Sequence, residues 1–205
     1  MSPSPLVQCP GRTTERRQWY PCQMILVVHA HPYPQHSRAG KALLAAVRGL
    51  PEVAVRDLYE LYPDFHVDVA AEQEALAAAR TIVWQHPLYW YHAPALMVLW
   101  FEKVLALDWA YGARHALAGK RVLWVTTTGG PQEAYAKHPL RPSLAQLAAP
   151  LKQTVDFCEM EWLPPLAVHH AGTLTDDQLL TAAEGYRDRL VAELHHLAAG
   201  EVHRA

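Results

Sequence analysis

Met24-Ile25-Leu26-Val27-Val28-His29-Ala30 runs directly into His31-Pro32-Tyr33-Pro34-Gln35-His36-Ser37-Arg38-Ala39-Gly40. The first seven residues are almost uninterrupted apolar sequence, as suits a parallel strand covered on both faces. A proline-punctuated loop, His31 to His36, comes next. Ser37 is then placed to cap a helix with Ala39, Leu43, Leu44 and Val47 on one stripe, ending near Gly49 and Pro51. A buried strand, a loop and an amphipathic helix together make the opening unit of a doubly wound α/β sheet.

The alternation continues along the chain. Val53 to Leu58 reads as a weaker strand, and Glu72 to Arg80 is alanine-rich and helical by propensity. Thr81 to Gln85 predicts a third strand stopped by Pro87. Pro94 suits the first turn of a helix through Leu107, where its missing N–H costs nothing. Lys120 to Thr127 predicts a fourth strand closed by Gly129 and Gly130. A helix from about Pro142 to Val155 and a strand near Met160 to Trp162 complete the sheet, and Pro164 and Pro165 interrupt the chain beyond it. Thr175-Asp176-Asp177-Gln178 is a capping box before Leu179, Ala183, Tyr186, Leu190, Leu194 and Leu197 at helical spacing. The expected fold is a doubly wound, five-stranded parallel sheet of order 2-1-3-4-5.

The chain's 205 residues suffice for one domain with a full core and are short for two. Hydrophobic residues at 51% and charged residues at 19% suit a globular chain rather than a disordered one. A net charge of -2 gives no global attraction to nucleic acid or to an anionic membrane. Cys9, Cys22 and Cys158 form no C-x-x-C, which favours a reduced, cytoplasmic protein over a disulfide-stapled one. No run approaches the roughly 18 apolar residues of a membrane span. Residues 1–23, with Pro3, Pro5, Pro10, Pro21, Arg12, Arg16 and Arg17, have no apolar period. They are expected to be a disordered leader or a misassigned start, before one domain over residues 24–200 and a short tail over 201–205.

Ligands of doubly wound sheets bind beyond the carboxyl ends of the strands. Three loops leave those ends here, and each has a functional reading and a plain one. In His31–Gly40 the helix amides and dipole favour an anion, with His31, Ser37 and Arg38 as added donors. Neither G-x-G-x-x-G nor a Walker motif is present. The plain alternative is a proline-stiffened loop with solvated histidines. In His86–Pro94, the consecutive aromatics Tyr89, Trp90 and Tyr91 are costly to expose unless they stack on a planar ring, a core or a dimer partner. In Thr126–Pro131, hydroxyls and glycine-exposed amides can meet a polar ring edge, or simply form a tight turn. Tyr135 and His138 lie beyond it as candidate donors to a substrate oxygen on which charge develops.

Taken together, the stretches MILVVHAHPYPQHSRAGK, LYELYPDFHVDVAAEQEAL, IVWQHPLYWYHAPALMVLWFEKV, WAYG, LWVTTTGG and WLPPLAVH resemble the flavodoxin-like NAD(P)H:quinone oxidoreductases, or flavodoxin-2 family. Within it they are most similar to the ancillary subunits of glutathione-gated, Kef-type potassium-efflux antiporters. The resemblance implies FMN held by His31, by Ser37, Arg38, Ala39 and Gly40, by Leu88, Tyr89, Trp90 and Tyr91, and by Thr127, Thr128, Gly129 and Gly130. It implies Tyr135 as the catalytic tyrosine, five residues after Gly130, with His138 standing in for a partner histidine at a spacing the chain does not reproduce. It also implies NAD(P)H and a quinone as substrates. A homodimer is expected, with sites near the helix bearing Trp100, Phe101 and Lys103. An antiporter partner would place the chain on the inner face of the cell membrane.

Three other functions compete. A non-catalytic flavin-binding regulator of such an antiporter shares every motif. A one-electron carrier usually has a strongly acidic docking surface, which a net charge of -2 does not supply. A metal enzyme is suggested by thirteen histidines, but no H-E-x-x-H or Cys/His ligand set is present, so no metal is expected.

Overall fold

The computed structural model describes residues 24–202, and the expectations for the leader lie outside the described residues. Its elements are β1 (Ile25–His29), α1 (Arg38–Arg48), β2 (Val53–Asp57), α2 (Leu58–Leu61), α3 (Val69–Ala78), β3 (Thr81–Pro87), α4 (Ala95–Val104), β4 (Arg121–Thr127), α5 (Leu144–Phe157), β5 (Glu161–Trp162), β6 (Leu166–Val168) and α6 (Asp176–Val202). The strands are parallel in the order β2-β1-β3-β4-β5, with β6 also paired to β4. The order matches the expected one, whereas the sheet has six strands among the described residues rather than five. The extra strand arises because the last one is broken. β5 pairs with Arg121 and Val122, and β6 with Val125 to Thr127, on either side of Leu163-Pro164-Pro165. The two prolines have no N–H to donate to the ladder.

Strand residues alternate between two cores because successive side chains point to opposite faces. Leu26, Val28, Ile82, Trp84 and Trp124 pack with Leu76, Leu96, Trp100 and Val155 of α3, α4 and α5. Ile25, Val27, Val83, Leu123 and Val125 pack with Leu43, Val47, Tyr186 and Leu190 of α1 and α6. Every residue of β1 and β3 is buried, which explains their nearly continuous apolar sequence.

Two polar networks secure these layers. The fully buried Glu72 accepts from Arg56 Nε and the Tyr62 hydroxyl at 2.6 Å each, and from Trp100 Nε1 at 2.9 Å, joining β2, α3 and α4. Trp100 is thus committed to the chain's own core. On the other face Glu193 of α6 accepts from Thr81 Oγ1 at 2.7 Å and Arg121 Nη1 at 2.8 Å.

Several boundaries differ from expectation. β3 continues through Pro87, whose register partner Thr127 is the last rung of that ladder. α4 ends at Val104 rather than Leu107, and Asp108 then turns the chain in a left-handed conformation, φ 62°. α6 runs to Val202, into the stretch expected to be a tail. Its capping box is present: Thr175 Oγ1 accepts from Gln178 N–H, and Gln178 Oε1 from Thr175 N–H.

Candidate active site

Because β1, β3 and β4 are parallel neighbours, the loops leaving their carboxyl ends share one edge of the sheet. In the first loop His31 is buried. Its Nδ1 accepts from Tyr33 N–H at 3.1 Å, so the neutral ring carries its proton on Nε2, 3.2 Å from the Tyr89 hydroxyl. Burial holds the His31 pKa below its ordinary value. Ser37 occupies the N-cap position of α1 but makes no side-chain cap bond, unlike the expected cap. Among the described residues, the amides of Arg38, Ala39 and Gly40 therefore have no helical or capping partner. A Cβ at Gly40 would collide with Ser37 Oγ, so any larger residue there must displace that hydroxyl. Arg38 points elsewhere than expected. Its guanidinium meets Asp176 Oδ1 at 2.7 Å and the Leu174 carbonyl at 3.1 Å, clamping α1 to the start of α6.

The second loop is a tight hairpin. Tyr89 and His92 exchange backbone hydrogen bonds of 3.1 and 2.9 Å around the two-residue tip Trp90-Tyr91. Both tip residues are left-handed, φ 49° and 66°. That conformation costs about 1–2 kcal/mol for each bulky side chain, and such strain gathers at functional sites. Trp90 is nevertheless 90% exposed and Tyr91 53% exposed. The entry to the hairpin is rigid. Buried His86 donates from Nδ1 to the Pro87 carbonyl at 2.9 Å, and its Nε2 accepts from Trp124 Nε1 at 2.9 Å. Burial lowers its pKa to about 4 and keeps it neutral. Leu88 N–H donates to the Thr127 carbonyl at 2.8 Å, tying the second loop to the third.

In the third loop two hydroxyls are already engaged. Thr126 Oγ1 donates to the His86 carbonyl and Thr128 Oγ1 to the Gly130 carbonyl, each at 3.0 Å. Thr127, Gly129 and Gly130 are left to offer a hydroxyl and amides to a ligand. Tyr135 ends a 3-10 turn, Gln132–Tyr135, and its ring stacks on His169 with centroids 5.6 Å apart. His138 is exposed, pairs backbone with Arg141, and accepts from Leu140 N–H at its own Nδ1. The ring against Tyr135 is therefore His169, which sequence spacing did not single out. It arrives on a fourth stretch, laced to the third loop by Thr128 N–H to Val168 O, His170 N–H to Gly130 O and Ala171 N–H to Thr128 O.

Beneath the α1 N-terminus lies an unsatisfied polar floor. His29 and Gln85 are register partners, and among the described residues His29 Nδ1 and both Gln85 amide atoms are buried without a hydrogen-bond partner. Burial, helped by His31, Arg48 and His86, lowers the His29 pKa to about 3. A cavity of about 250 Å³ opens here between His29, Pro34, Ser37, Lys41, Arg48 and Asp57. A more open groove of about 440 Å³ runs along β2 and includes no residue of the three loops. Uncapped amides, a buried serine and orphaned polar atoms suit an anionic tail, and the hairpin aromatics suit a flat ring.

Comparison with known proteins agrees with this architecture. A family model described as flavodoxin-like fold, flavodoxin-2, matches residues 23–190. The glutathione-regulated potassium-efflux system ancillary protein KefF of Enterobacter sp. (strain 638) is 50% identical over 169 residues, covering 82% of this chain and 96% of the relative. Among solved structures, general stress protein 14 of Treponema denticola, in complex with FMN, superposes with a TM-score of 0.76 at 31% identity over 82% of this chain and 98% of that one. An NADPH-quinone reductase from P. pentosaceus superposes with a TM-score of 0.74 at 29% identity, covering 81% and 96%. With a family model spanning most of the described domain, the chain belongs to the flavodoxin-2 family of flavodoxin-like fold.

Proposed function

We propose that this chain binds FMN and catalyses the two-electron reduction of quinones by NAD(P)H. The observation that carries the reading is the meeting of the uncapped α1 N-terminus, the strained Trp90-Tyr91 hairpin and the Thr127–Gly130 turn at one sheet edge. Structural relatives named as an NADPH-quinone reductase and as a protein in complex with FMN support it. The α1 amides and Ser37 would hold the phosphate, and the residues 88–91 hairpin would shield one face of the ring from water. Thr127, Gly129 and Gly130 would orient its polar edge. When bound, FMN supplies hydride acceptance and donation, which no side chain here can provide. Tyr135 would donate a hydrogen bond to the quinone oxygen on which negative charge develops. Exposed Val98, Leu107, Trp90 and Leu140 are apolar surface that a homodimer would cover.

Residues 24–205, purified and supplied with FMN, should retain a flavin absorbance spectrum and oxidise NAD(P)H in the presence of several quinones. A protein that refuses FMN, or a loaded protein that reduces no quinone, overturns the enzymatic reading. A second reading, regulation of a Kef-type potassium antiporter at the cytoplasmic face of the membrane, is favoured by the KefF relative. Among the described residues no helix is long and apolar enough to cross a membrane, so such a role calls for peripheral docking. Co-purification with a Kef-type antiporter and altered potassium flux are expected, and failure of both rejects it.

A further inference from the structure

Thr128, His169 and Tyr135 form a chain whose protons can be assigned from geometry alone. Thr128 Oγ1 is 3.0 Å from the Gly130 carbonyl oxygen, which can only accept, so the single hydroxyl proton points there. Oγ1 also lies 2.9 Å from His169 Nδ1. With its proton spent on Gly130, the hydroxyl oxygen can only accept from the imidazole, which places a proton on Nδ1. Nε2 is then the ring's basic position. The ring itself cannot drift. Residues on both sides of it are bonded to the third loop, His170 is held left-handed at φ 54°, and the Tyr135 ring lies against its face at 28° from parallel.

We propose that His169 is the positioning residue for Tyr135, its Nδ1–H locking it to Thr128 while protonation at Nε2 strengthens the Tyr135 hydroxyl as a donor to the quinone. This rests on the quinone-reductase reading of the site. Nδ1 carries a proton in both charge states, so titration leaves the Thr128 bond intact and acts on Tyr135 through the stacked faces. Glu133, in the same 3-10 turn as Tyr135, favours the cation, while burial and neighbouring His170 oppose it. Burial is the largest of these, so the ring is held below 6.5 and is neutral at physiological pH. Quinone reduction should therefore quicken as pH falls through that range.

The lock is tested on the protein alone by long-range nitrogen–proton NMR of histidine-labelled full chain. The expected result is a neutral His169 protonated at Nδ1, with a midpoint below 6.5. A neutral ring protonated at Nε2 overturns the proposal. On FMN-loaded protein, His169→Phe keeps a stacking ring and loses both nitrogens, and His169→Asn keeps an amide donor near Nδ1 without a titrating group. Both should abolish the acid-side rise of kcat/KM for quinone and lower it on the order of tenfold at the acid end, less than the roughly hundredfold loss of a direct proton donor. Flavin content should stay unchanged. The Tyr135→Phe/His169→Phe pair should lose no more than Tyr135→Phe alone, because His169 acts through that phenol. Variant pH profiles that superpose on the native one, or fully additive losses, reject the role. Failure to load FMN counts against the proposed function instead, while the tautomer still decides the lock.

Discussion

The Tyr89 hydroxyl meets His31 Nε2 at 3.2 Å across 58 positions of sequence, with the two rings edge to face at 5.7 Å. Since Tyr33 N–H occupies Nδ1, His31 donates and Tyr89 accepts. The phenolic proton is thereby left to point toward a ligand. Tyr89→Phe removes the acceptor and should weaken FMN binding by about 1 kcal/mol, roughly fivefold, read by flavin fluorescence titration. Unchanged affinity would show that the two loops hold their positions without this bond.

Trp90 combines near-complete exposure with a left-handed backbone. Trp90→Gly should relieve about 1 kcal/mol of strain in the flavin-free protein and raise its melting temperature. The same change should loosen FMN by at least about 1 kcal/mol through lost stacking. Stability and affinity moving in opposite directions is the signature sought. A parallel fall in both would mean that the indole supports the fold.

Gly40 is close to Ser37 Oγ, and any Cβ must displace that side chain from the mouth of the helix. Gly40→Ala should weaken FMN about tenfold or more, measured by equilibrium dialysis. Helix propensity alone would predict a small gain in stability for this change, so a tighter complex would contradict the crowding argument.

Buried His29 and His86 titrate near 3 and 4 in the fold, against 6.5 for an unperturbed ring. Between those values the unfolded chain binds protons that the native chain does not, so stability rises with pH. It should be fully present above 6.5 and decline toward pH 4 by about 1.4 kcal/mol per pH unit for each ring. Urea midpoints measured across that interval provide the check. A flat profile would place both histidines in contact with solvent.

Glu72 satisfies three donors from three elements. Glu72→Ala leaves Tyr62 and Trp100 without their acceptor and should destabilise the fold by about 3 kcal/mol in urea unfolding. A loss below about 1 kcal/mol would show that water replaces the carboxylate.

How much of this was visible in the sequence depended on how local each cause is. β1, β4 and α6 declare themselves through apolar periodicity, glycine closure and a capping box, all set by neighbours in the chain. β6 does not, because two prolines precede three residues whose strand partner is the distant β4. Nor does sequence reveal that Trp90 and Tyr91 adopt left-handed φ values, since bulky side chains give no propensity for that region. The three loops stood out from their composition. Their actual contacts did not. Arg38 turning to Asp176, Thr128 to Gly130 and Tyr135 to His169 are decisions of packing, and the Thr128–His169 pair alone spans 41 positions.

The break at Pro164-Pro165 has a bearing on how copies of the molecule can meet. A continuous outer strand would offer a ladder of vacant backbone groups to the flank of another molecule, and sheets that add to each other this way polymerise without limit. Here that flank is two stubs of two and three residues, and the connection between them includes two prolines with no N–H to donate. Addition of one sheet to another along that border is therefore disfavoured.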